Sequence, residues 1–330
     1  MNMRKSRLHV CLGALALIVM AAATQAATQP ASAALDRAAL LKLADNYLAG
    51  LVAHDPGKLP LASDVRVVEN VARIKVGEGL WKTAGSAPTA FKIVAADPVT
   101  QEVGGLVVMQ VDGKASQVGF RLKLVNGRIA EAEHLVVAIR DPNNPNLQKP
   151  RPAIPLEIPD EWADSHGRMI HMAKSYYDAL DDNNGHKAPF APDCERHENG
   201  FRTAPFGGPS LGGAIPGAGP PRPPGLMGLQ DCTSQIDSGT FQYITTIEDR
   251  RVEIADTVTG LAIGFSHFHH PMTQKVFKIT GSPDRTESDM TNQKPFDMPA
   301  MHIFKIWGGQ IHEIEAIGIT LPYNSPTGWE

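Results

Sequence analysis

The sequence predicts an α+β protein made of two tandem copies of one unit, in which a helix packs on an antiparallel sheet. Three observations predict this fold: an internal repeat, an amphipathic helix that opens each copy, and strand-like runs that follow each helix. The repeat is the strongest of the three. Residues 44–70 reappear 129 positions later without a gap, with nine identities in 27 positions, which is more than shared composition produces.

The opening helices of the two copies share an apolar period of 3.6 residues. The repeated apolar positions are Leu40, Leu43, Ala44, Tyr47, Leu48 and Leu51 in the first copy and Met169, Met172, Ala173, Tyr176 and Leu180 in the second. Asp36 and Ser165 are the expected N-caps. Turn-forming clusters at 54–57 and 182–185 are expected to end the two helices.

Runs rich in β-branched and other apolar residues follow each helix and predict strands. They lie at 91–94, 106–111, 117–125 and 129–139 in the first copy and at 252–255, 261–269, 301–306 and 311–320 in the second. Asn-Gly at 126–127 and Gly-Gly at 308–309 predict hairpins between them. The last strands of the copies also match, but at an offset of 182, so the second copy carries extra residues.

The extra residues include a Gly/Pro-rich stretch at 204–229. Of the 21 residues from 205 to 225, 14 are Gly or Pro, so we expect a loop without helix or strand. The segment 141–160 is rich in Pro and Asn, which is typical of a linker. We therefore expect a first domain at 34–140 and a second domain at 161–330.

The N-terminus has the features of a secretory signal peptide. Basic residues within 4–7 precede an apolar run at 8–23, and small residues follow as far as position 33. The run is shorter than the ~20 residues that span a bilayer. We expect residues 1–33 to be cleaved and the mature protein to be periplasmic or secreted, with no membrane association.

Export leaves two cysteines, Cys194 and Cys232. In an oxidising compartment such a pair predicts a disulfide bond, and the alternative is two buried thiols. A bridge between them would stabilise the fold by about 4 kcal/mol according to the chain-entropy relation.

The pattern of helix and strands resembles the SnoaL-like branch of the nuclear transport factor 2-like superfamily. Both copies have a leading helix, a proline turn, an Asp-to-Glu-Asn run and a last strand with Glu-x-Glu. More narrowly, Asp-Cys-Glu-Arg-His-Glu-Asn-Gly at 193–200 and Asp-Arg-Arg at 249–251 are similar to a secreted tandem-domain group in fungi and bacteria. The resemblance implies a cone-shaped α+β barrel in each copy, with a curled sheet around an apolar cavity that holds a few acid and base side chains and no cofactor.

The second copy is richer in histidine, so we expect the functional cavity there. In the run 261–270, a period of two puts His267 and His269 on one face with apolar residues, and this face is expected to be buried. Two imidazoles there could transfer protons near neutral pH. The alternative is a pair of hydrogen-bonded histidines packed in a sheet. A zinc site is the weaker interpretation, because it needs a third and usually a fourth ligand that the sequence cannot place, and no metal is expected.

Two glutamates are candidates to orient a catalytic histidine. Glu198 follows the helix of the second copy, and Glu315 lies on its last strand. Both have counterparts in the first copy, Glu69 and Glu133. A residue repeated in both copies is more simply explained by the fold, so a structural hydrogen bond is the favoured interpretation of Glu198.

Four further residues are candidates for binding a substrate: Tyr177, Tyr243, Arg250 and Trp307. Arg250 belongs to a charge cluster that is ordinarily solvated, but an arginine at the mouth of a cavity could hold an anionic or phenolic oxygen. Tyr243 is interpreted either as a core residue or as a hydroxyl donor, and the core is favoured for an aromatic residue in a β-rich run.

These features together with the resemblance indicate two functions of different class. The first is a cofactor-independent lyase or isomerase that acts by general acid–base catalysis on a hydrophobic, aromatic hydroxylated molecule, such as a lignin-derived diaryl compound. The second is a non-catalytic exported protein that binds such a small molecule. A net charge of −4 with dispersed Lys and Arg argues against nucleic acid as a partner. Homo-oligomer formation is left open.

Overall fold

Residues 34–205, 231–281 and 286–330 are described by the computed structural model of the chain. The predicted signal peptide lies outside the described residues, and so does nearly all of the predicted Gly/Pro-rich loop.

The first half of the described chain contains a long helix, a short helix and the strands of one sheet. The helices are α1 (Arg37–Val52) and α2 (Leu80–Thr83), and the strands are β1 (Leu61–Glu69), β2 (Ala72–Ile74), β3 (Lys92–Asp97), β4 (Glu102–Val111), β5 (Lys114–Val125) and β6 (Arg128–Ala138). Asp36 caps α1 as predicted, since its carboxylate accepts a hydrogen bond from the Ala39 backbone N–H at 2.8 Å.

The second half repeats this order of helix and strands. Its helices are α3 (His166–Asp181) and α4 (Cys232–Asp237), and its strands are β7 (Phe190–Glu198), β8 (Phe201–Ala204), β9 (Thr246–Asp256), β10 (Leu261–His270), β11 (Val276–Lys278), β12 (Glu287–Asp289), β13 (Phe296–Trp307), β14 (Gln310–Gly318) and β15 (Leu321–Pro322). Ser165 lies at the N-cap position of α3 but makes no capping hydrogen bond through its side chain.

The two main sheets have the same strand order, which confirms the two sheet bodies of the repeat. The orders are β2-β1-β6-β5-β4-β3 and β8-β7-β14-β13-β10-β9. Two details differ from the expected closed antiparallel barrel. In each sheet the first strand in chain order pairs in parallel with the strand that carries Glu-x-Glu, β1 with β6 and β7 with β14. Both sheets are also open: the edge strands, β2 and β3 in the first sheet and β8 and β9 in the second, do not pair with each other.

Each sheet has two buried faces. One face packs against the long helix of its own half, with Tyr47 on α1 and Tyr176 on α3 fully buried. The other faces of the two sheets pack against each other and form a third core that joins both halves. Its residues from the second sheet include Leu261, Ile263 and Phe265. The face that the sequence marks as buried in β10 is therefore buried between the sheets, and not beneath a helix.

Buried basic side chains connect the segment at 141–160 with the second sheet, and one of them is a lysine. Lys305 on β13 is 0% exposed, and its Nζ donates hydrogen bonds to the carbonyl oxygens of Ile154, Leu156 and Thr259 at 3.2, 2.6 and 2.6 Å. Burial lowers the pKa of Lys305 to about 8. The connection between the two repeats is thus packed as part of the second half.

The predicted disulfide bond is present between Cys194 on β7 and the start of α4 at Cys232. Both residues are buried. A buried disulfide agrees with the predicted export to an oxidising compartment. In the part of the chain that the structure describes, no helix is both long and apolar enough to cross a membrane.

Candidate functional site

A cavity lies beneath α3 in the second half, on the helix-facing side of the sheet. Its volume is about 60 Å³. Most of its lining is apolar, from Leu180, Phe241, Ile244, Phe268, Phe296, Met298 and Ala300. The polar lining consists of Arg196, Glu198, Tyr243, His270 and His302. A mostly apolar cavity with a few polar groups is typical of a small-molecule site.

His270 is the polar residue at the end of β10 that turns into this cavity. Its ring stacks on Phe296 of the neighbouring strand, with 4.1 Å between the ring centroids and 10° between the planes, and on Tyr243 at 5.5 Å. Alternation along β10 places Phe268 and His270 on the same side. The stacking holds the imidazole in one orientation against the cavity wall.

The imidazole of His270 is neutral and incompletely hydrogen-bonded. Burial lowers its pKa to about 4, against the opposing charge of Asp297. The backbone of Phe268 and Phe296 also lies close enough to oppose the shift, but Nδ1 makes no hydrogen bond to any described residue. A buried ring nitrogen without a partner is uncommon, and here it belongs to a residue that lines a mostly apolar cavity.

His302 on β13 lies deeper beneath the helix. Its Nδ1 is 3.4 Å from the hydroxyl of Tyr177, and its ring is 5.1 Å from the ring of Tyr176. Complete burial, aided by the positive charge of Arg196, holds the pKa of His302 well below its usual range. His302 is therefore a neutral residue at the bottom of the cavity.

Glu198 lies at the cavity wall as part of a hydrogen-bonded group. Arg196 donates from Nη2 to Glu198 Oε2, from Nε to the Tyr176 hydroxyl and from Nη1 to Thr203, each at 2.8 Å. The Glu198 side chain is 30% exposed. Its carboxylate is thus paired with arginine but remains accessible from the solvent side.

A larger groove adjoins the cavity. The groove has a volume of about 620 Å³ and shares Glu198, Met298 and Gly318 with the cavity wall. Its other walls come from the end of β6 and from the β7–β8 hairpin, where Phe201 is 55% exposed. The cavity beneath α3 and the groove therefore lie side by side, and the Glu198 side chain, which is 30% exposed, is on the wall that they share.

The structure brings two of the predicted site residues, Glu198 and Tyr243, to this cavity. His267 and His269 are on the opposite face of β10, where they approach Asp297 on β13. The sequence could not predict this placement, because β10 is buried on both faces. Alternation assigns these two histidines to one face but does not say which face meets the helix.

Glu315 also lies on the face that points away from α3. Its Oε2 accepts a hydrogen bond from Arg151 at 2.9 Å, and the histidine that it faces is His197, at 3.9 Å. Arg151 comes from the segment between the repeats and is also paired with Glu313 at 3.1 Å. Glu315 thus belongs to a buried ion-pair group outside the cavity.

The first half has the same arrangement around its own Glu-x-Glu strand. Arg121 on β5 pairs with Glu131 at 2.8 Å and with Glu133 at 3.2 Å. In each half, one buried arginine therefore contacts both glutamates of the Glu-x-Glu strand. This supports a structural explanation for the repeated Glu-x-Glu pattern.

The three remaining predicted binding residues line other parts of the second half. Tyr177 is fully buried beneath α3. Arg250 donates to Asp178 on α3 at 2.6 Å, and its guanidinium lies 5.9 Å from the Tyr177 ring. Trp307 stacks on His312, with 3.6 Å between the centroids, at the far end of β13. None of the three lines the cavity.

His270 and His302 are the cavity residues that sequence reasoning did not select. Both belong to the histidine-rich strands of the second copy, but no sequence signal separates them from His267 and His269. Residues 261–268 are all buried, so neither face of β10 has the polar pattern that would mark a solvent side. Only the position of the helix distinguishes the two faces.

Comparison with known proteins finds a matching family profile and a similar solved structure. A family profile described as "Domain of unknown function (DUF8021)" matches residues 163–318. The crystal structure of AclR, a proposed hydroxylase from Streptomyces galilaeus, is similar over 48% of this chain and 83% of that chain, with 8% identity and a TM-score of 0.27. No curated protein sequence matches.

Proposed function

We propose that this protein is exported and that it binds a small aromatic, hydroxylated molecule in the cavity beneath α3. The observation that carries the proposal is that His270 lines the cavity and that its buried Nδ1 has no hydrogen-bond partner among the described residues. An unsatisfied buried polar atom costs about 1–3 kcal/mol. A ligand hydroxyl that pairs with this nitrogen would remove that cost, while the aromatic side chains around it would contact the ring of the ligand.

The volume of the cavity limits the ligand. A benzene ring occupies a cavity of ~150 Å³, whereas the cavity beneath α3 has about 60 Å³. A ring would therefore enter only if lining side chains such as Tyr243 and Phe296 change rotamer. The adjoining groove of about 620 Å³ would take polar substituents past Glu198. We infer that single-ring phenols bind better than rigid diaryl compounds.

A second candidate function is catalysis as a cofactor-independent lyase or isomerase. The observation that favours it is that an imidazole and a carboxylate, those of His270 and Glu198, line one cavity. Either group could accept a proton as general base and return it as general acid in a dehydration, an elimination or a carbon–carbon cleavage. This candidate function includes the proposal that each half has a SnoaL-like cone fold. The fold proposal is supported by the helix and the sheet of the same strand order that occur in both halves.

Binding is tested with phenol, 2-methoxyphenol and diphenyl ether, by isothermal titration calorimetry and thermal shift. We expect the phenols to bind and His270→Leu to weaken their affinity about 10-fold, which corresponds to one lost hydrogen bond. The matched control is His171→Leu, which changes an exposed histidine on α3. Equal affinities in His270→Leu and the native protein would refute the proposed ligand contact.

Turnover separates the two candidates. Incubation of the same phenols with the protein, followed by mass spectrometry, reports any new product. General acid–base catalysis contributes about 10²- to 10⁴-fold, so His270→Gln and Glu198→Gln should lower turnover per folded molecule by such a factor. Binding without any product would support the non-catalytic function.

A further inference from the structure

A second cluster of polar side chains lies on the face of β10 that points away from the cavity. It consists of His267 and His269 on β10 and Asp297 on β13. His269 and Asp297 are direct partners in the antiparallel pair, so their side chains share a face. One ligand atom from each of the three residues lies within 4.8 Å of the other two.

The N···O distances within this cluster are close to those between two ligands of one metal ion. Nε2 of His267 is 3.4 Å from Asp297 Oδ2, and Nδ1 of His269 is 2.9 Å from Asp297 Oδ1. Two ligands bound at ~2.0–2.1 Å to a tetrahedral zinc ion lie about 3.3 Å from each other. The spacing needs only small side-chain adjustments to surround a metal.

Ordinary packing does not explain why the imidazole of His267 is buried with an unpaired nitrogen. Its side chain is 4% exposed, and Nε2 is buried without a hydrogen-bond partner among the described residues. If the cluster only neutralised Asp297 through hydrogen bonds, this nitrogen should donate to the carboxylate, as Nδ1 of His269 does. An unpaired imidazole nitrogen that faces a buried carboxylate is instead the arrangement expected of metal ligands without a bound ion.

Groups around the cluster resemble the outer contacts of metal sites. Metal-binding histidines commonly donate their other ring N–H to a carboxylate, and binding carboxylates are themselves hydrogen-bonded. Nε2 of His269 lies 3.5 Å from Glu248 Oε2. The backbone N–H of Ser325 donates to Asp297 Oδ2 at 2.8 Å. Both contacts would hold the ligand atoms toward a common centre.

The charge of the cluster also favours a cation. Asp297 is 0% exposed, and a buried carboxylate needs a compensating positive charge. The His269 side chain is 18% exposed, which gives an ion access from the solvent side. Two imidazoles and one carboxylate suit borderline first-row divalent ions.

We propose that His267, His269 and Asp297 bind a divalent first-row transition-metal ion, with Zn²⁺ as the reference ion and water in the remaining position. This departs from the expectation that no metal is bound, because the sheet register supplies the third ligand that sequence spacing could not place. The site is distinct from the ligand cavity, since its residues lie on the opposite face of β10.

The test is metal titration of tag-free protein that has been treated with EDTA and dialysed. We expect one Zn²⁺ per chain by isothermal titration calorimetry, at micromolar or lower Kd, and a rise in Tm on Zn²⁺ addition. Co²⁺ should bind with the visible absorption of a four-coordinate site. His267→Gln, His269→Gln and Asp297→Asn should each weaken binding at least 100-fold, and Glu248→Gln about 10-fold.

The matched control is His186→Gln, because His186 forms an exposed pair with Asp237 at 3.2 Å elsewhere on the same half. Its Kd for Zn²⁺ should equal that of the native protein. The proposal would be overturned if no stoichiometric binding is seen at a Zn²⁺ concentration about 100-fold above a micromolar Kd. An unchanged Kd in His267→Gln would overturn it as well. Circular dichroism establishes that each variant folds. Should a ligand variant fail to fold, the stoichiometry, the Tm shift and the Co²⁺ spectrum of the native protein decide.

Discussion

The hydroxyl of Tyr47 on α1 lies 2.8 Å from Nε2 of His134 on β6, in the interior of the first half. The other ring nitrogen of His134 faces Glu69 on β1 at 3.2 Å. All three residues come from separate elements, so this chain of polar contacts ties the helix to two strands. Tyr47 and His134 are 0% and 1% exposed, which makes every contact in the chain important for stability.

The second half makes the same connection with a different basic residue. Tyr176 and Glu198 occupy the positions of the repeated tyrosine and glutamate, and Arg196 on β7 joins them. The repeat thus preserves the acidic residue and the helix tyrosine, but the base between them comes from another strand. This supports a structural role for the repeated Glu198, with its exposed edge left to line the cavity.

Removal of the tyrosine hydroxyl tests these connections. Tyr47→Phe would leave His134 Nε2 buried without a partner, so we expect a loss of about 1–3 kcal/mol in the free energy of unfolding. Tyr176→Phe removes a hydrogen bond from a charged guanidinium and should cost about 1.5–3 kcal/mol. The measurement is urea unfolding. Tyr323→Phe, at a half-exposed tyrosine, should stay within about 0.5 kcal/mol, and a similar loss in all three variants would contradict the prediction.

The disulfide bond should contribute substantially to stability. Replacement of both Cys194 and Cys232 by Ser is expected to cost about 2–5 kcal/mol, as for native disulfides of other exported domains. Intact-mass alkylation should modify neither cysteine in the native exported protein and both after reduction. Two reactive thiols before reduction would show that the bond is absent from the folded protein.

Lys305 should be required for the packing of the segment between the repeats. Lys305→Met removes the donor for three carbonyl oxygens, so we expect a loss of at least ~2 kcal/mol and faster proteolysis within 141–160. The control is Lys275→Met, since Lys275 donates to one carbonyl, that of Gln293, at an exposed position. Equal unfolding free energies in the two variants would be inconsistent with the proposed role of Lys305.

His302 should make stability depend on pH below neutrality. Its pKa in the folded protein lies well below the usual value, through burial and the charge of Arg196, whereas in the unfolded chain it is ~6.5. The unfolded state therefore binds the proton first. Stability is fully present above pH ~6.5 and falls as the pH decreases below it, by up to about 1.4 kcal/mol per pH unit for this group.

The variant His302→Gln cannot take up this proton, so its unfolding free energy should fall less steeply between pH 6.5 and pH 5. The slope is compared, rather than the absolute stability, because the substitution also changes packing. His186→Gln, at an exposed histidine, should keep the native slope. A native slope in His302→Gln would mean that another group accounts for the dependence.

Much of the local structure could be predicted from the sequence. The 3.6-residue period located both long helices, the strand-like runs located eight strands, and the repeat predicted that the two halves share one order. These signals lie within short contiguous segments, where side-chain direction follows directly from backbone geometry. The disulfide could also be predicted, because Cys194 and Cys232 are the only two cysteines left once the expected signal peptide is excluded.

The placement of the functional residues depended on tertiary structure. His267 and His269 share a face in any strand, but only the packing of the two sheets turns that face away from α3 and leaves His270 in the cavity. Likewise, Asp297 joins the two histidines only because β10 and β13 pair in one register. Both faces of β10 are buried, so hydrophobic patterning does not distinguish them. Long-range packing makes that choice, because it depends on which other surfaces are available to cover each face.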